Sequence, residues 1–174
     1  MTQIPVLLTK TQIKRRVKQL AGRLNRDYCH KELVLIGILK GSFIFMADLF
    51  RHLTIPVQCD FVSLSSYGPR TTSSGKIKIR SNFTAPIKNK DILIIEDIID
   101  SGLTVSYLKK ELQKYHPKDV KICTLLDKPA RRKIKLKLAY VGFKIPDRFV
   151  VGYGIDYNEH YRSLPYIGYI RQNR

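Results

Sequence analysis

The sequence predicts an α/β fold: a central, mostly parallel twisted sheet flanked by helices, with a small cap built from the N- and C-terminal segments. Three observations predict it. Several short segments are continuously apolar, as strands covered on both faces are. Segments with helical spacing alternate with them along the chain. The 174 residues, 44% apolar and 26% charged, suffice for one domain with its own core.

Taken in order, "TKTQIKRRVKQLAGRLNR" has apolar residues at Ile13, Val17, Leu20, Ala21 and Leu24, which is the spacing of one helix face. The first 26 residues contain no acid, so a transit peptide or a membrane-surface helix also fits this stretch. An ordinary first helix leading into a strand is more economical. "LVLIGI" (Leu33–Ile38) is the first continuously apolar strand, and "SFIFMADLFRHL" follows as a helix. "VQCDFVSLS" (Val57–Ser65) is rich in β-formers, and "SYGPRTTSSGK" (Ser66–Lys76) is a loop of turn and polar residues. "IKIRSN" is expected as an antiparallel edge strand. "DILIIED" (Asp91–Asp97), the helix "TVSYLKKELQKYH" ending before Pro117, and "VKICTLLD" (Val120–Asp127) continue the alternation. "RFVVGYG" (Arg148–Gly154) is expected as the fifth strand.

Composition narrows the function classes. With 32 basic and 14 acidic residues, the formal charge is +18. Such an excess attracts nucleic acid, anionic lipid or phosphorylated substrates. No apolar stretch approaches the ~18 residues of a membrane span. Cys29, Cys59 and Cys123 are odd in number and form no CxxC pair, so they are expected as reduced core thiols in a reducing compartment.

The most informative stretch is "ILIIEDIIDSG" (Ile92–Gly102). It sets Glu96, Asp97 and Asp100 directly after four aliphatic residues. In an open α/β sheet, ligands bind beyond the carboxyl ends of the strands, so these acids fall where the fold puts its site. Two carboxylates ~4 Å apart repel by about 4 kcal/mol at an effective dielectric near 20. A metal ion such as Mg²⁺, a sugar hydroxyl or a proton relieves that repulsion. Next come Ser101 and Thr104 with their hydroxyls, Gly102 for a tight turn, and the start of a helix, whose free N–H groups suit phosphate. Together these parts suit a sugar phosphate. An acidic, capped helix start would account for one carboxylate but not three. No GxxxxGK[ST] occurs, which excludes a P-loop.

"ILIIEDIIDSGLTVSYL" resembles the signature of the type I phosphoribosyltransferases, and more narrowly that of the bacterial hypoxanthine-guanine phosphoribosyltransferases. The similarity continues through "VLIGILKGSFIFMADL", "SSYG", "TTSSGKIKI", "LLDKPARRK" and "VGFKIPDRFVVGYGIDYNEHYRSLPYIGYI", covering about residues 34 to 170. The resemblance implies an Mg²⁺-dependent transfer from 5-phosphoribosyl 1-pyrophosphate to hypoxanthine or guanine, yielding IMP or GMP and pyrophosphate. It also implies a cytoplasmic homodimer or homotetramer without membrane or nucleic-acid partners.

The same resemblance implies a role for each site residue. Glu96 and Asp97 face the ribose hydroxyls and the Mg²⁺ shell. The turn Ser101, Gly102, Leu103 and Thr104 cradles the 5′-phosphate, and Asp100 is the general acid or base at purine N7. Leu39, Lys40 and Gly41 form the pyrophosphate loop, whose Leu39–Lys40 peptide is often cis in relatives. Lys128 donates to the purine 6-oxo group, Phe149 stacks on the base, and the Val150 backbone meets its far edge. Asp156 holds a second Mg²⁺ and Arg162 contacts pyrophosphate. Ser66 and Tyr67 stand at the base of a mobile loop over about 66–76 in an otherwise single-domain chain. Glu159 and His160 are assigned no chemistry. Two other readings share the fold: an RNA-binding regulator, favoured by the basic run "KPARRKIKLK", and a xanthine-preferring transferase.

Overall fold

The computed structural model describes residues 4–67, 76–79 and 83–171. Among them the chain runs β1 Val6–Leu8, α1 Lys10–Asp27, β2 Leu33–Leu39, α2 Phe43–Phe50, β3 Val57–Tyr67, β4 Lys76–Ile79, β5 Asp91–Ile99, α3 Leu103–Gln113, β6 Asp119–Asp127, β7 Tyr140–Lys144, β8 Val150–Val151 and β9 Ile167–Tyr169, with one 3₁₀ turn at Pro129–Arg131.

The six-stranded central sheet has the order β4-β3-β2-β5-β6-β7. Its last five strands are parallel neighbours, and β4 pairs antiparallel with the end of β3. The continuous apolar runs divide by parity, as a sheet covered on both faces requires. Leu33 and Leu35 of β2, with Leu93 and Ile95 of β5, pack with α1 and α2. Val34, Ile36 and Ile38, with Ile92 and Ile94, pack with Val105, Leu108 and Leu112 of α3.

The N-terminal helix α1 is an integral part of the core. Thr9 and Gln12 close a capping box at its start. Its stripe Ile13, Val17, Leu20, Ala21 and Leu24 is buried. Arg16 ties it to β7, donating to Gly142 O at 2.7 Å and Val141 O at 2.9 Å. A second sheet, β1-β9-β8, joins the two ends of the chain with antiparallel pairing throughout.

Four expectations are corrected. The strand expected at Arg148–Gly154 is only Val150–Val151, and it belongs to the small sheet. Gly152 and Gly154, both at positive φ, turn the chain out of extended geometry at once. The fifth parallel strand is Tyr140–Lys144 instead. Strand β5 runs two residues further than expected, to Ile99, where it still pairs with Asp127. Cys29 and Cys59 are free but exposed, and only Cys123 is a core thiol. Cys29 lies in the turn after α1, and Cys59 lies on the part of β3 that β4 does not cover.

Ser66 and Tyr67 pair with Ile77 and Lys76 in the β3–β4 ladder, so the expected loop does not begin at Ser66. Residues 68–75 of that loop lie outside the described residues.

Candidate active site

The site is assembled at the carboxyl ends of β2, β5 and β6, with the chain from Phe149 to Arg162 closing one side. Strand β2 ends at Leu39, the Leu39–Lys40 peptide is cis, and α2 starts at Phe43. Buried Ser42 anchors the turn by donating to Ile38 O at 2.6 Å. Gly41 is fixed by space. A Cβ there would stand 2.1 Å from Asp97 Oδ2, and one on Gly154 would stand 2.1 Å from Gly41 O. The loop backbone is therefore wedged between the Asp97 carboxyl and the Gly154 turn.

Strand β5 delivers Glu96 and Asp97 at 9% and 8% exposure, which is rare for carboxyls without full partners. Glu96 Oε2 is buried and accepts no hydrogen bond. Burial, then the Asp97 charge beside it, drives the Glu96 carboxyl well above its usual range. Burial also raises Asp97, to about 6, against its own and Ile98's backbone N–H groups and the Arg162 charge. Both shifts favour a proton on the pair. A ligand that brings hydroxyl donors or a cation would release it.

Beyond β5 the chain turns through Asp100, Ser101 and Gly102 into α3. Gly102 has φ +82° and, as N-cap, supplies no side chain to the first N–H groups of α3. Ser101 Oγ accepts only a long 3.4 Å bond from Leu103 N. A cleft of about 140 Å³ lies here, with Glu96, Asp100, Ser101, Gly102 and Thr104 in its wall. Carboxylates, hydroxyls and uncapped helix N–H groups thus line one phosphate-sized space. Two of the larger cavities, about 620 and 550 Å³, lie at the amino ends of β2 and β3 and between α1 and α2. Neither holds the carboxyl pair.

On the other side of the turn, Lys128 is 4% exposed, unlike a surface lysine. Its Nζ donates to Arg148 O at 3.1 Å, stands 3.0 Å from Asp100 Oδ1 and 3.8 Å from Asp147 Oδ1. The Asp100 contact is a close ion pair rather than an aligned hydrogen bond, since Asp100 Oδ1 lacks a hydrogen-bond donor in line with it. Phe149 is 44% exposed, so it is not a core residue, and its ring meets Tyr157 edge-on at 5.4 Å. Val150 is buried in β8.

Arg162 links the far end. It donates to Gly154 O at 2.7 Å, pairs with Asp156 Oδ1 at 2.8 Å, and leaves Nε buried without a partner. The second Asp156 oxygen accepts the Glu159 N–H at 2.9 Å.

A profile of the phosphoribosyl transferase domain matches residues 6–158. The chain belongs to that family. Over 95% of its length, this phosphoribosyltransferase is 49% identical to 92% of the hypoxanthine-guanine phosphoribosyltransferase of Bacillus subtilis strain 168. It is 46% identical to the hypoxanthine phosphoribosyltransferase of Salmonella typhimurium, covering 95% of this chain and 94% of that one. The crystal structure of a Bacillus anthracis hypoxanthine-guanine phosphoribosyltransferase superposes with a TM-score of 0.92 at 48% identity, over 97% of this chain and all of that one.

The residues expected at the site fall into one contiguous region. Leu39, Lys40, Gly41, Glu96, Asp97, Asp156 and Arg162 gather at one end and Asp100, Lys128, Phe149 and Val150 at the other, while Ser101, Gly102 and Thr104 share a cleft wall with Glu96 and Asp100. For Ser66 and Tyr67 only the strand backbone is described.

Three neighbours were given no role by the sequence. Arg132 donates to Asp100 O at 3.0 Å and pairs with Asp127, pinning the turn from below. Asp147 pairs with Arg131 at 2.7 Å beside Lys128. Glu159 bridges Lys40 and Arg162. The run "KPARRK" was visible as a charge cluster, but nothing in its spacing separates Arg132 from the solvated lysines around it.

Proposed function

We propose that the protein is a purine-salvage transferase that moves the 5-phosphoribosyl group of 5-phosphoribosyl 1-pyrophosphate onto hypoxanthine or guanine, giving IMP or GMP and pyrophosphate. The observation that carries this is the buried Glu96–Asp97 pair, with Glu96 Oε2 unpartnered, beside an uncapped helix start. Two buried carboxyls destabilise a fold unless a ligand rewards them. A ribose diol next to a phosphate is such a ligand.

In this reading, the N–H groups and hydroxyls of 101–104 hold the 5′-phosphate, and Glu96 and Asp97 accept from the ribose hydroxyls. Asp100 takes the purine proton as the ring nitrogen bonds to C1′. Lys128, already held by Arg148 O, donates to the 6-oxo group. Adenine offers an amino donor there, and two facing donors leave a buried group unpaired. Phe149 offers its exposed face to the base, with the Val150 backbone at the far edge. The loop Leu39, Lys40 and Gly41 and the Arg162 guanidinium receive the departing pyrophosphate.

The donor set also fits Mg²⁺, which keeps most of its waters and takes one or two carboxylates plus substrate oxygens. Glu96 and Asp97 are the residues that would hold one ion and Asp156 a second, and when bound the metal would neutralise charge building on the pyrophosphate.

We further propose that the 174 residues act as a single domain in a cytoplasmic homodimer or homotetramer. Exposed Phe43 and Phe50 on α2, with Phe61 on β3, supply apolar surface for assembly. The free thiols fit a reducing compartment. A buried Lys128 beside an exposed aromatic ring suits a purine pocket better than an RNA-binding face.

The test is a steady-state assay with 5-phosphoribosyl 1-pyrophosphate, Mg²⁺ and, separately, hypoxanthine, guanine, xanthine and adenine. Turnover of hypoxanthine or guanine is expected and adenine is expected to be inert. Turnover of xanthine alone would reassign the substrate, and turnover of none would remove the transferase reading.

A further inference from the structure

The turn between Asp156 and Arg162 carries a carboxylate for which the transfer chemistry above has no use. Asn158, Glu159 and Tyr161 all sit at positive φ, +50°, +64° and +73°, and Tyr157 and His160 pair across the turn. From this tight turn Glu159 Oε2 reaches Lys40 Nζ at 3.0 Å and Arg162 Nη2 at 3.4 Å. One carboxylate thus joins the cation of the β2–α2 loop to the cation of the opposite wall. Lys40 belongs to the loop, and Arg162 is the guanidinium, that the transferase reading gives to pyrophosphate.

The bridge faces water: the Glu159 and Lys40 side chains are 65% and 68% exposed. Lys40 holds the Glu159 carboxyl below its usual range, so it is charged wherever the enzyme would work. An exposed pair of this kind is weak and exchanges readily.

We propose that Glu159 sets the affinity for the diphosphate group: it is an internal anion that occupies Lys40 and Arg162 in the empty site and that an incoming diphosphate must displace. This rests on the transferase reading. A diphosphate carries several negative charges and cannot share two cations with a fixed carboxylate without repulsion. Displacement therefore weakens 5-phosphoribosyl 1-pyrophosphate and free pyrophosphate alike. It also assists product release, because Glu159 returns to the cations as pyrophosphate leaves.

A purely structural role predicts the opposite. If Glu159 merely held Lys40 and Arg162 in position, removing its charge would loosen both cations and weaken binding. The two roles therefore differ in the sign of one measurement.

The experiment is calorimetric titration of the full chain with pyrophosphate in Mg²⁺ buffer at low salt, for the wild type, Glu159→Gln and Glu159→Ala. Glutamine keeps the shape and can still accept from Arg162, but carries no charge. Both variants are expected to bind pyrophosphate roughly 1.5- to 5-fold more tightly, the range an exposed ion pair supplies. In a Lys40→Gln background the same substitution is expected to gain less, because one of the two competed cations is gone. Unchanged or weaker binding in both single variants, with a wild-type melting temperature, overturns the proposal. A folded wild type that does not bind pyrophosphate at all overturns the transferase reading, and this inference with it.

Discussion

Burying Glu96 and Asp97 side by side sets two residue-scale effects against each other, ligand binding and stability. Asp97 has its carboxyl raised from 3.8 to about 6, chiefly by burial. The folded state therefore binds a proton more tightly than the unfolded chain. The stability tied to that proton is fully present below about pH 4 and is lost as pH rises through about 6. At pH 8 the charged form costs on the order of 3 kcal/mol. Asp97→Asn removes the charge at nearly constant shape. It is expected to raise the melting temperature of the ligand-free protein by roughly 5 °C or more at pH 8, and by less at pH 5, while weakening substrate binding. Thermal unfolding at the two pH values measures this, and a lower melting temperature at pH 8 would contradict it.

Asp100 differs from that pair. It is half-exposed, paired to Lys128, and free of a hydrogen bond at Oδ1. A positioned proton-transfer group contributes roughly 10²–10⁴-fold. Asp100→Asn should therefore lower kcat by about that factor and leave substrate dissociation constants nearly unchanged. Pre-steady-state kinetics with separate equilibrium binding tests it, and an unaltered kcat would take Asp100 out of the proton transfer. Asp100 was legible in the sequence because its offset from the apolar strand puts it at the turn. Its pairing with Lys128 was not, because the two follow different strands and meet only once β5 and β6 are in register.

At the scale of elements, the junction between β2 and α2 illustrates how a site depends on backbone packing. Gly41 touches the Asp97 carboxyl on one side and Gly154 on the other. Gly41→Ala would place a Cβ 2.1 Å from Asp97 Oδ2, so either the loop or the carboxyl must move by about 1 Å. A displacement of that size at a reacting centre costs on the order of 10²-fold. We expect kcat/KM for 5-phosphoribosyl 1-pyrophosphate to fall by about that much, with a melting temperature close to wild type, since the loop lies outside the core. Normal kinetics for Gly41→Ala would show that the loop adapts.

Element by element, the parallel strands were readable wherever both faces are covered, as in "LVLIGI" and "DILIIE". The strand Tyr140–Lys144 was missed because it lies at the sheet edge beyond β6, where Val141 and Phe143 are only half-buried and no apolar run marks it. "RFVVGYG" misled in the other direction: its residues are apolar and β-forming, but two glycines at positive φ leave only a two-residue strand. Exposure of Cys59 followed from sheet order, which a single segment does not encode.

For the whole molecule, the question is what a formal charge of +18 does for a protein whose site is itself acidic at Glu96, Asp97, Asp100 and Asp156. The exposed basic residues are spread over many elements. Arg131, Lys133, Lys135 and Lys137 follow the turn whose partner Arg132 holds Asp100 O, close to the expected 5′-phosphate cradle. Charges so arranged raise the local concentration of an anionic substrate and speed its encounter without altering the bound geometry. That effect is set by screening: the Debye length falls from about 30 Å at 0.01 M to about 8 Å at 0.15 M ionic strength. We therefore expect kcat/KM for 5-phosphoribosyl 1-pyrophosphate to drop severalfold across that interval. The KM for hypoxanthine, an uncharged base entering a site already filled with the anionic substrate, should stay nearly constant. Steady-state kinetics in a neutral salt series, with Mg²⁺ held saturating, separates the two. If both constants fell together, salt would be acting on the fold or the metal, and the basic surface would have no part in substrate capture.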